Sequence, residues 1–447
     1  MLRLHLVCIS RRKGGSTGAT ARVDAEDQIF AKIARRLIPL MMALYTVSFL
    51  DRVNVGFAAL TMNKDLGFTP EIYGWGAGVF FFGYFLFEIP SNVILTKVGA
   101  RRWICRIMAS WGVISAANAL VQGPTSFYVL RFLLGLAEAG FAPGMIFYLS
   151  LWFPARLRAR YAATYFLAIP LTNVIGAPVS GLILGADGVL GLHGWQWLFV
   201  LEALPALVLA VIVFFFLPDG PADAHWLSTR ERERIAGELS REREAEDDSL
   251  HDVRSALMDS RVLVLCAIYF GIVVGLYGIG YWLPQMIQGM GFSNHAIVAL
   301  VALPYAAAGV AQYIWGRHSD MSAERVWHVA LPAALSGFAF AISAALQSPA
   351  LVLVALAVAA IGICSTLAPF WAMPPQFLSG KGAAAGIAAI NAVGNLGGFI
   401  GPYAVGWALQ ETGNYSGGMM ILAGFLLAAA ALVLAMGRFK RLALAAS

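Results

Sequence analysis

Charge is scarce in this sequence. Asp, Glu, Lys and Arg make up only 13% of its 447 residues, about half of the ~25% usual in soluble domains. An ordinary soluble globular fold is thereby excluded. Strand-like alternation is missing as well, which argues against a transmembrane barrel. Cysteine is sparse: Cys8, Cys105, Cys266 and Cys364 show no CxxC or other ligand spacing, so neither a metal site nor a disulfide framework is indicated. All seven histidines fall in tails, loops or span ends. A histidine relay inside the spans is therefore excluded. No Ser-His, HExxH or His-metal constellation lies in the spans either, which speaks against an intramembrane enzyme. The short apolar stretch at the N-terminus, followed by Arg11, Arg12 and Lys13, is too brief for a signal-peptide core.

What the sequence has is apolar length. Hydrophobic residues make up 59% of it, and runs long enough to cross a bilayer core of about 30 Å recur from end to end. The pattern predicts an all-α membrane protein with twelve transmembrane helices. They lie roughly at 37–60, 72–95, 103–121, 126–151, 161–184, 195–217, 261–286, 296–316, 327–346, 350–375, 383–409 and 418–436. An even number of spans puts both termini on one side. Of 31 Lys and Arg, 28 fall on that same side. The positive-inside rule makes it the cytosol. The net charge of +6 reflects this topology and gives no hint of nucleic-acid binding.

The segment 218–260 is the only long polar stretch between spans. The expected organisation is a cytosolic tail (1–36), a six-helix half (37–217), a cytosolic linker (218–260), a second six-helix half (261–436) and a cytosolic tail (437–447). Ser228 and Glu231 in the linker fit a capping box, which predicts a surface helix with solvated charges. The halves repeat. "GFTPEIYGW" at 67–75 returns as "GFSNHAIVA" at 291–299, and the same offset of 224 carries Trp103 to Trp327, Phe153 to Phe377 and Pro178 to Pro402. Parallel repeats of this kind in transporters enclose a site near the midplane.

Six ionisable residues lie inside spans: Asp51, Arg52, Glu88, Arg131, Glu138 and Glu202. Each costs ~2.5–3.5 kcal/mol or more at the bilayer centre unless paired or wetted, so function is the default reading. Helical rise places Asp51 and Arg52 ~21 Å from the cytosolic end of span 1, and Arg131 and Glu138 ~7 and ~18 Å below the outer end of span 4. Arg131 and Glu138, seven residues apart, share a helix face. Two arginines facing a wet cavity suit a carboxylate, because the guanidinium fork matches it bidentately. Arg52 and Arg131 are the substrate-binding candidates. A carboxyl subject both to burial and to a nearby Arg can switch protonation, which makes Glu138 and Asp51 the proton-coupling candidates. The competing role for Asp51 is a fixed counter-ion. Glu88 and Glu202 read as structural, Glu202 lying one turn below an outer belt formed by Trp195 and Trp197.

The chain resembles the major facilitator superfamily over about residues 30–440. More narrowly it resembles the anion:cation symporters that include bacterial tartrate, sugar-acid, phthalate and hydroxyphenylacetate permeases. The residues that carry the likeness are "FLDRVNVGFA", "FFGYFLFEIPSN", "VGARRW", "RFLLGLAEAGFAPG", "GWQWLFVLEALPA" and "AINAVGNLGGFIGP". The resemblance implies that spans 1 and 4 line the cavity and that Arg52 touches the substrate directly. It adds Asn395 and Tyr84 as ligands. It also implies a gating loop, here Lys97, Gly99 and Arg101, with Gly316 and Asp320 in the second copy. The motif's usual Gly and Asp are replaced by Asn92 and Thr96, which weakens the expected latch. Phe49 stands where the family often has Tyr, pointing to a less polar substrate.

The expectation is a proton-coupled importer of a small organic anion in a bacterial inner membrane. It would work by alternating access, as a monomer, with no cofactor beyond the coupling proton. Sodium coupling or anion exchange of the same substrates is the alternative within transport. A membrane anion sensor is the alternative outside it, and the linker is small for an output domain.

Overall fold

The computed structural model describes residues 17–247, 258–378 and 380–445. These residues form α-helices with short connections and, among the described residues, no strand. In chain order the helices are α1 (Thr17–Asp65), α2 (Pro70–Val98), α3 (Ala100–Ala117), α4 (Pro124–Glu138), α5 (Phe141–Ser150), α6 (Ala155–Phe166), α7 (Ala168–Leu184), α8 (Gly194–Phe216) and α9 (Thr229–Asp247). After the linker come α10 (Ser260–Gly289), α11 (Asn294–Ser322), α12 (Val326–Ala345), α13 (Pro349–Trp371), α14 (Gly380–Asn395), α15 (Gly397–Thr412) and α16 (Ser416–Ala445).

Among the described residues, ten helical segments are long and apolar enough to cross a membrane. Two of the twelve predicted spans fall outside this set for visible reasons. The stretch 103–121 is α3, whose first two turns carry Arg101, Arg102 and Arg106. The stretch 383–409 is two 16-residue helices, α14 and α15, broken between Asn395 and Gly397. Spans 4 and 5 are broken too, each into a pair: α4 with α5, and α6 with α7.

Helix ends follow local chemistry. Thr69 accepts from the Ile72 N–H at 3.3 Å with Pro70 opening α2, and Asp259 accepts from the Arg261 N–H at 2.8 Å. The expected capping box is present: the Ser228 N–H donates to Glu231 at 2.7 Å, and the Glu231 N–H to Ser228 Oγ at 3.3 Å. Lipid gives helices no hydrophobic reason to associate, so close backbone approach matters. At Gly135 a Cβ would lie 1.9 Å from the Phe80 carbonyl oxygen, so α4 and α2 pack backbone to backbone there.

Helix α9 lies beside the first part of α1 and beside α6. Its charges are not all solvated. Glu231 pairs with Lys32 at 2.9 Å and Glu242 with Arg158 at 2.6 Å, tying α9 to α1 and α6, and Ile235 and Leu239 are buried beneath it. Helix α1 also starts well before the expected first span, with Phe30 packed on Phe153.

On the opposite face the helices before and after the linker close on each other. Asn63 Nδ2 donates to Gln285 at 3.0 Å, Gln288 Nε2 to the Leu60 carbonyl at 3.2 Å, and Tyr73 Oη to the Tyr281 carbonyl at 3.0 Å. Trp195 is not part of an exposed belt. It is buried, and its indole N–H donates to Asp65 at 3.0 Å, anchoring the end of α1. Nearer α9, α2 and α14 meet through Asn391 and the buried Glu88, 2.5 Å apart.

Candidate substrate and ion site

Helices α1 and α4 bring Arg52 and Glu138 together. Glu138 is the last residue of α4, where "AEAGF" breaks the helix: Gly140 takes φ +83, the left-handed region that glycine tolerates. Arg52 holds one carboxylate oxygen. Its Nε donates to Glu138 Oε1 at 2.7 Å; Nη2 lies at the same distance as an ion-pair contact but makes no hydrogen bond. Ser48, one turn earlier on α1, donates to that oxygen at 2.6 Å. Glu138 Oε2 has no partner. The third Arg52 nitrogen, Nη1, donates to Tyr277 Oη on α10 at 3.3 Å. The guanidinium also lies over the Tyr84 ring at 4.8 Å and the Phe80 ring at 5.5 Å. Arg52 is 3% exposed and Glu138 0%, so this is a desolvated, charge-assisted contact.

Arg131 does not pair with Glu138 in spite of the shared face. Its Nη2 donates to the Ala77 carbonyl at 3.3 Å, and its guanidinium lies over the same Phe80 ring at 5.2 Å. Nε and Nη1 have no partner, although Arg131 is fully buried. A buried guanidinium with two unmet donors is costly by itself, and it offers the fork geometry that a carboxylate fits.

Asp51 turns away from Arg52. Adjacent helical residues point about 100° apart, and Asp51 faces α3, where Ser115 donates to Oδ1; Asn54 Nδ2 donates to the same oxygen at 3.4 Å. Asp51 makes no ion pair with Arg52 or Arg131, and its Oδ2 has no partner.

Tyr84 joins the cluster through its ring, and its buried hydroxyl has no partner. Asn395 is buried at the α14–α15 break; among the described residues no hydrogen bond joins it to Arg52, Glu138 or Arg131. The adjoining Gly394 lies against the Tyr269 ring.

The loop motif lies apart from the centre. Lys97 is exposed in the last turn of α2. Gly99, with φ +96, separates α2 from α3, and Asp219 closes on it: its Oδ1 accepts from the Arg101 N–H at 2.8 Å, and its Oδ2 lies 3.6 Å from Arg101 Nε. In the second copy Gly316 is half-buried in α11, and Asp320 pairs with Arg325 at 2.7 Å. Sequence reasoning missed Ser48, Ser115, Asn54, Phe80 and Asp219. Ser48 and Asn54 carried a local signal, standing one helical turn from Arg52 and Asp51.

The sequence profile of the Major Facilitator Superfamily matches residues 41–402. A protein named "Putative tartrate transporter" from Agrobacterium vitis is 50% identical over 415 residues, covering 93% of this chain and 92% of its own. A "Quinolone resistance transporter" from Acinetobacter baumannii is 43% identical over 402 residues, covering 90% and 93%. "Inner membrane transport protein RhmT" of Escherichia coli is 40% identical over 386 residues, covering 86% and 89%. Among solved structures, a bacterial homolog of the human lysosomal transporter Spinster aligns with a TM-score of 0.71 at 16% identity, covering 90% of this chain and 96% of that one. The xylose transporter XylE from Escherichia coli aligns at 0.66 with 14% identity, covering 89% and 98%. At such identities the two structures speak for the fold alone. The profile match and relatives alike along nearly their full length establish that the chain belongs to the Major Facilitator Superfamily, as a membrane-embedded transporter and not an enzyme.

Proposed function

We propose that the protein is a proton-coupled importer of a small organic anion, a carboxylate of the tartrate, sugar-acid or aromatic-acid class. It works by alternating access in a bacterial inner membrane, as a single chain. The reading includes twelve spans in two halves, 37–217 and 261–436, with both termini in the cytosol. In it α3 and the α14–α15 pair supply the two spans that are charged or interrupted. The lysine and arginine asymmetry supports that orientation. The names of the tartrate-transporter and metabolite-transporter relatives support the substrate class.

The observation that carries the reading is the incomplete satisfaction of two buried guanidiniums. Arg131 has two nitrogens without a hydrogen bond, and Arg52, held by a single oxygen of Glu138, has one, Nη2. Arg52, Arg131, Glu138 and Asp51 are formally neutral together. An incoming carboxylate adds a negative charge in a low-dielectric site, and a proton cancels it. Glu138 Oε2 can take that proton without displacing a donor. Once neutral, Glu138 holds Arg52 weakly, and the Arg52 fork turns to the substrate beside Arg131. Proton and substrate then each favour the other's binding, a reciprocal coupling. Asp51 is the second protonatable group, and Tyr84 and Asn395 contact the body of the substrate.

The test is tartrate uptake by purified protein in liposomes under an inward pH gradient without sodium, with a pH dye recording proton movement. Substrate-driven proton uptake is the expected result. Uptake that needs sodium, or that moves no protons, overturns the coupling.

A further inference from the structure

Helix α2 meets the second half in two different ways. Its first part packs dry against α15. A Cβ on Gly74 would lie 2.7 Å from the Pro402 carbonyl oxygen, and one on Gly78 would lie 2.9 Å from that of Phe399; Gly398 lies against the Phe81 ring. Small residues thus bring backbone close to backbone. Nearer α9 the contact becomes polar. There α2 meets α14 through side chains: Asn391 Nδ2 donates to Glu88 Oε1 at 2.5 Å. Glu88 is 2% exposed, and its Oε2 has no partner. Helix α14 goes with the second half, because Gly386 lies against Val262 and Gly394 against Tyr269, both of α10.

The place of this bridge follows from helix geometry. Glu88 follows Tyr84 by four residues on α2, and Asn391 precedes Asn395 by four on α14. Each pair shares a helix face. The bridge therefore lies one turn, a rise of about 5.4 Å, to the α9 side of the two candidate ligands. Its energetics suit a contact that has to break. A glycine interface gains nothing from water when it parts. A buried carboxyl with one hydrogen bond and one bare oxygen does: parting costs the bond to Asn391, and water then satisfies both oxygens. The two terms oppose each other, which keeps the joined and parted states close in free energy, so that a ligand can shift their balance.

We infer that Glu88 and Asn391 are positioning residues that latch α14 to α2 on the α9 side of the substrate, with the glycine-packed contact of α2 and α15 as the pivot. The latch holds while substrate enters and parts for its release towards α9. The inference rests on the alternating-access reading. Neither residue touches the substrate; both act through the gap between the halves.

The test reads that gap directly. Spin labels on Thr96→Cys and Ser260→Cys, exposed near the α9-side ends of α2 and α10, report the distance between the halves in a background without the native cysteines. The distances are compared with the latch intact, in Asn391→Leu, in Glu88→Leu and in the double variant. Asn391→Leu leaves a buried carboxyl without its donor. The ratio of long to short distances should then rise about tenfold or more, the equilibrium equivalent of one hydrogen bond to a charged group. The double variant removes both polar groups and should return the ratio to within about threefold of the intact latch. Unchanged distances in Asn391→Leu overturn the inference. So does a double variant in which the two single effects simply add, since the residues then do not act on each other. If a leucine variant fails to fold, a second measurement decides. A short bifunctional thiol reagent joining Glu88→Cys to Asn391→Cys should block tartrate uptake in liposomes, and cleaving the reagent should restore it; uptake that survives complete cross-linking overturns the latch. If wild type moves no tartrate at all, the transport reading fails, and the spin-label distances still decide the latch.

Discussion

At the scale of single residues, the site separates neighbours. Asp51 and Arg52 are adjacent in sequence yet serve different sides of α1, one towards Ser115 and the other towards Glu138. Lys at position 52 keeps the charge but loses the fork whose Nε donates to Glu138 and whose Nη1 donates to Tyr277. Arg52→Lys and Arg52→Ala are both expected to lower tartrate uptake, the latter at least about a hundredfold, or ~2.7 kcal/mol at 1.36 kcal/mol per decade. Unchanged initial uptake rates in Arg52→Ala would remove Arg52 from the binding site. Glu138→Gln mimics the protonated acid. It should abolish accumulation against a gradient while leaving counterflow exchange, measured with radiolabelled substrate; loss of both would mark Glu138 as structural. That Arg52 lies on α1 and Glu138 on α4 was legible in the sequence, because the apolar runs mark those helices. The direction of Arg131 was not. A seven-residue spacing gives a shared face, but it does not reveal that Ala77 and Phe80 of another helix receive the side chain.

At the scale of elements, small residues and breaks decide the geometry. Gly135 lets α4 lie against the Phe80 carbonyl, and the Phe80 ring carries both guanidiniums. Gly135→Val should push α2 off α4, with ~1–3 kcal/mol of overpacking strain. The expected result is a lower melting temperature in detergent together with impaired uptake; an unchanged melting temperature would contradict this packing. The linker helix α9 illustrates how magnitudes rank its attachments. The Ser228 backbone N–H, and after it Lys32, hold the Glu231 carboxyl below its ordinary range. That contribution is present at neutral pH and fades as pH falls through the lowered value. Partly exposed ion pairs contribute at most about 1 kcal/mol, whereas burying Ile235 contributes ~1.5–3 kcal/mol. A spin label at the exposed Ser240 should therefore stay immobile in Lys32→Ala and under mild acid, and become mobile in Ile235→Asp. The capping box was readable from four residues. The partners of Glu231 and Glu242 were not, because Lys32 and Arg158 are distant in the chain.

At the scale of the whole molecule, the face opposite α9 is closed by contacts between helices before and after the linker. Alternating access requires these to open. A short bifunctional thiol reagent joining Asn63→Cys to Gln285→Cys should block uptake, and cleaving the reagent should restore it. Uptake that survives complete cross-linking would mean that this face does not gate entry. Apolar length and the 224-residue repeat made the superfamily fold legible. The breaks inside the predicted spans were less so, since glycine and proline recur along many of these helices without breaking them. Substrate-sized space between the two helix sets depends on side chains that come from both, and no local pattern encodes it.

The clasp at Gly99 has a consequence for how such chains are searched. Read along the sequence, the loop has lost its acid, with Thr96 in the expected place. Read in space, the acid is present. Asp219, more than a hundred positions downstream, supplies a carboxylate to the Arg101 N–H and side chain and so caps the start of α3. A contiguous pattern sees Thr96 and misses this carboxylate, because the residue that faces Arg101 comes from another segment. A scan of such loops should therefore ask what faces their basic residues in space as well as along the chain.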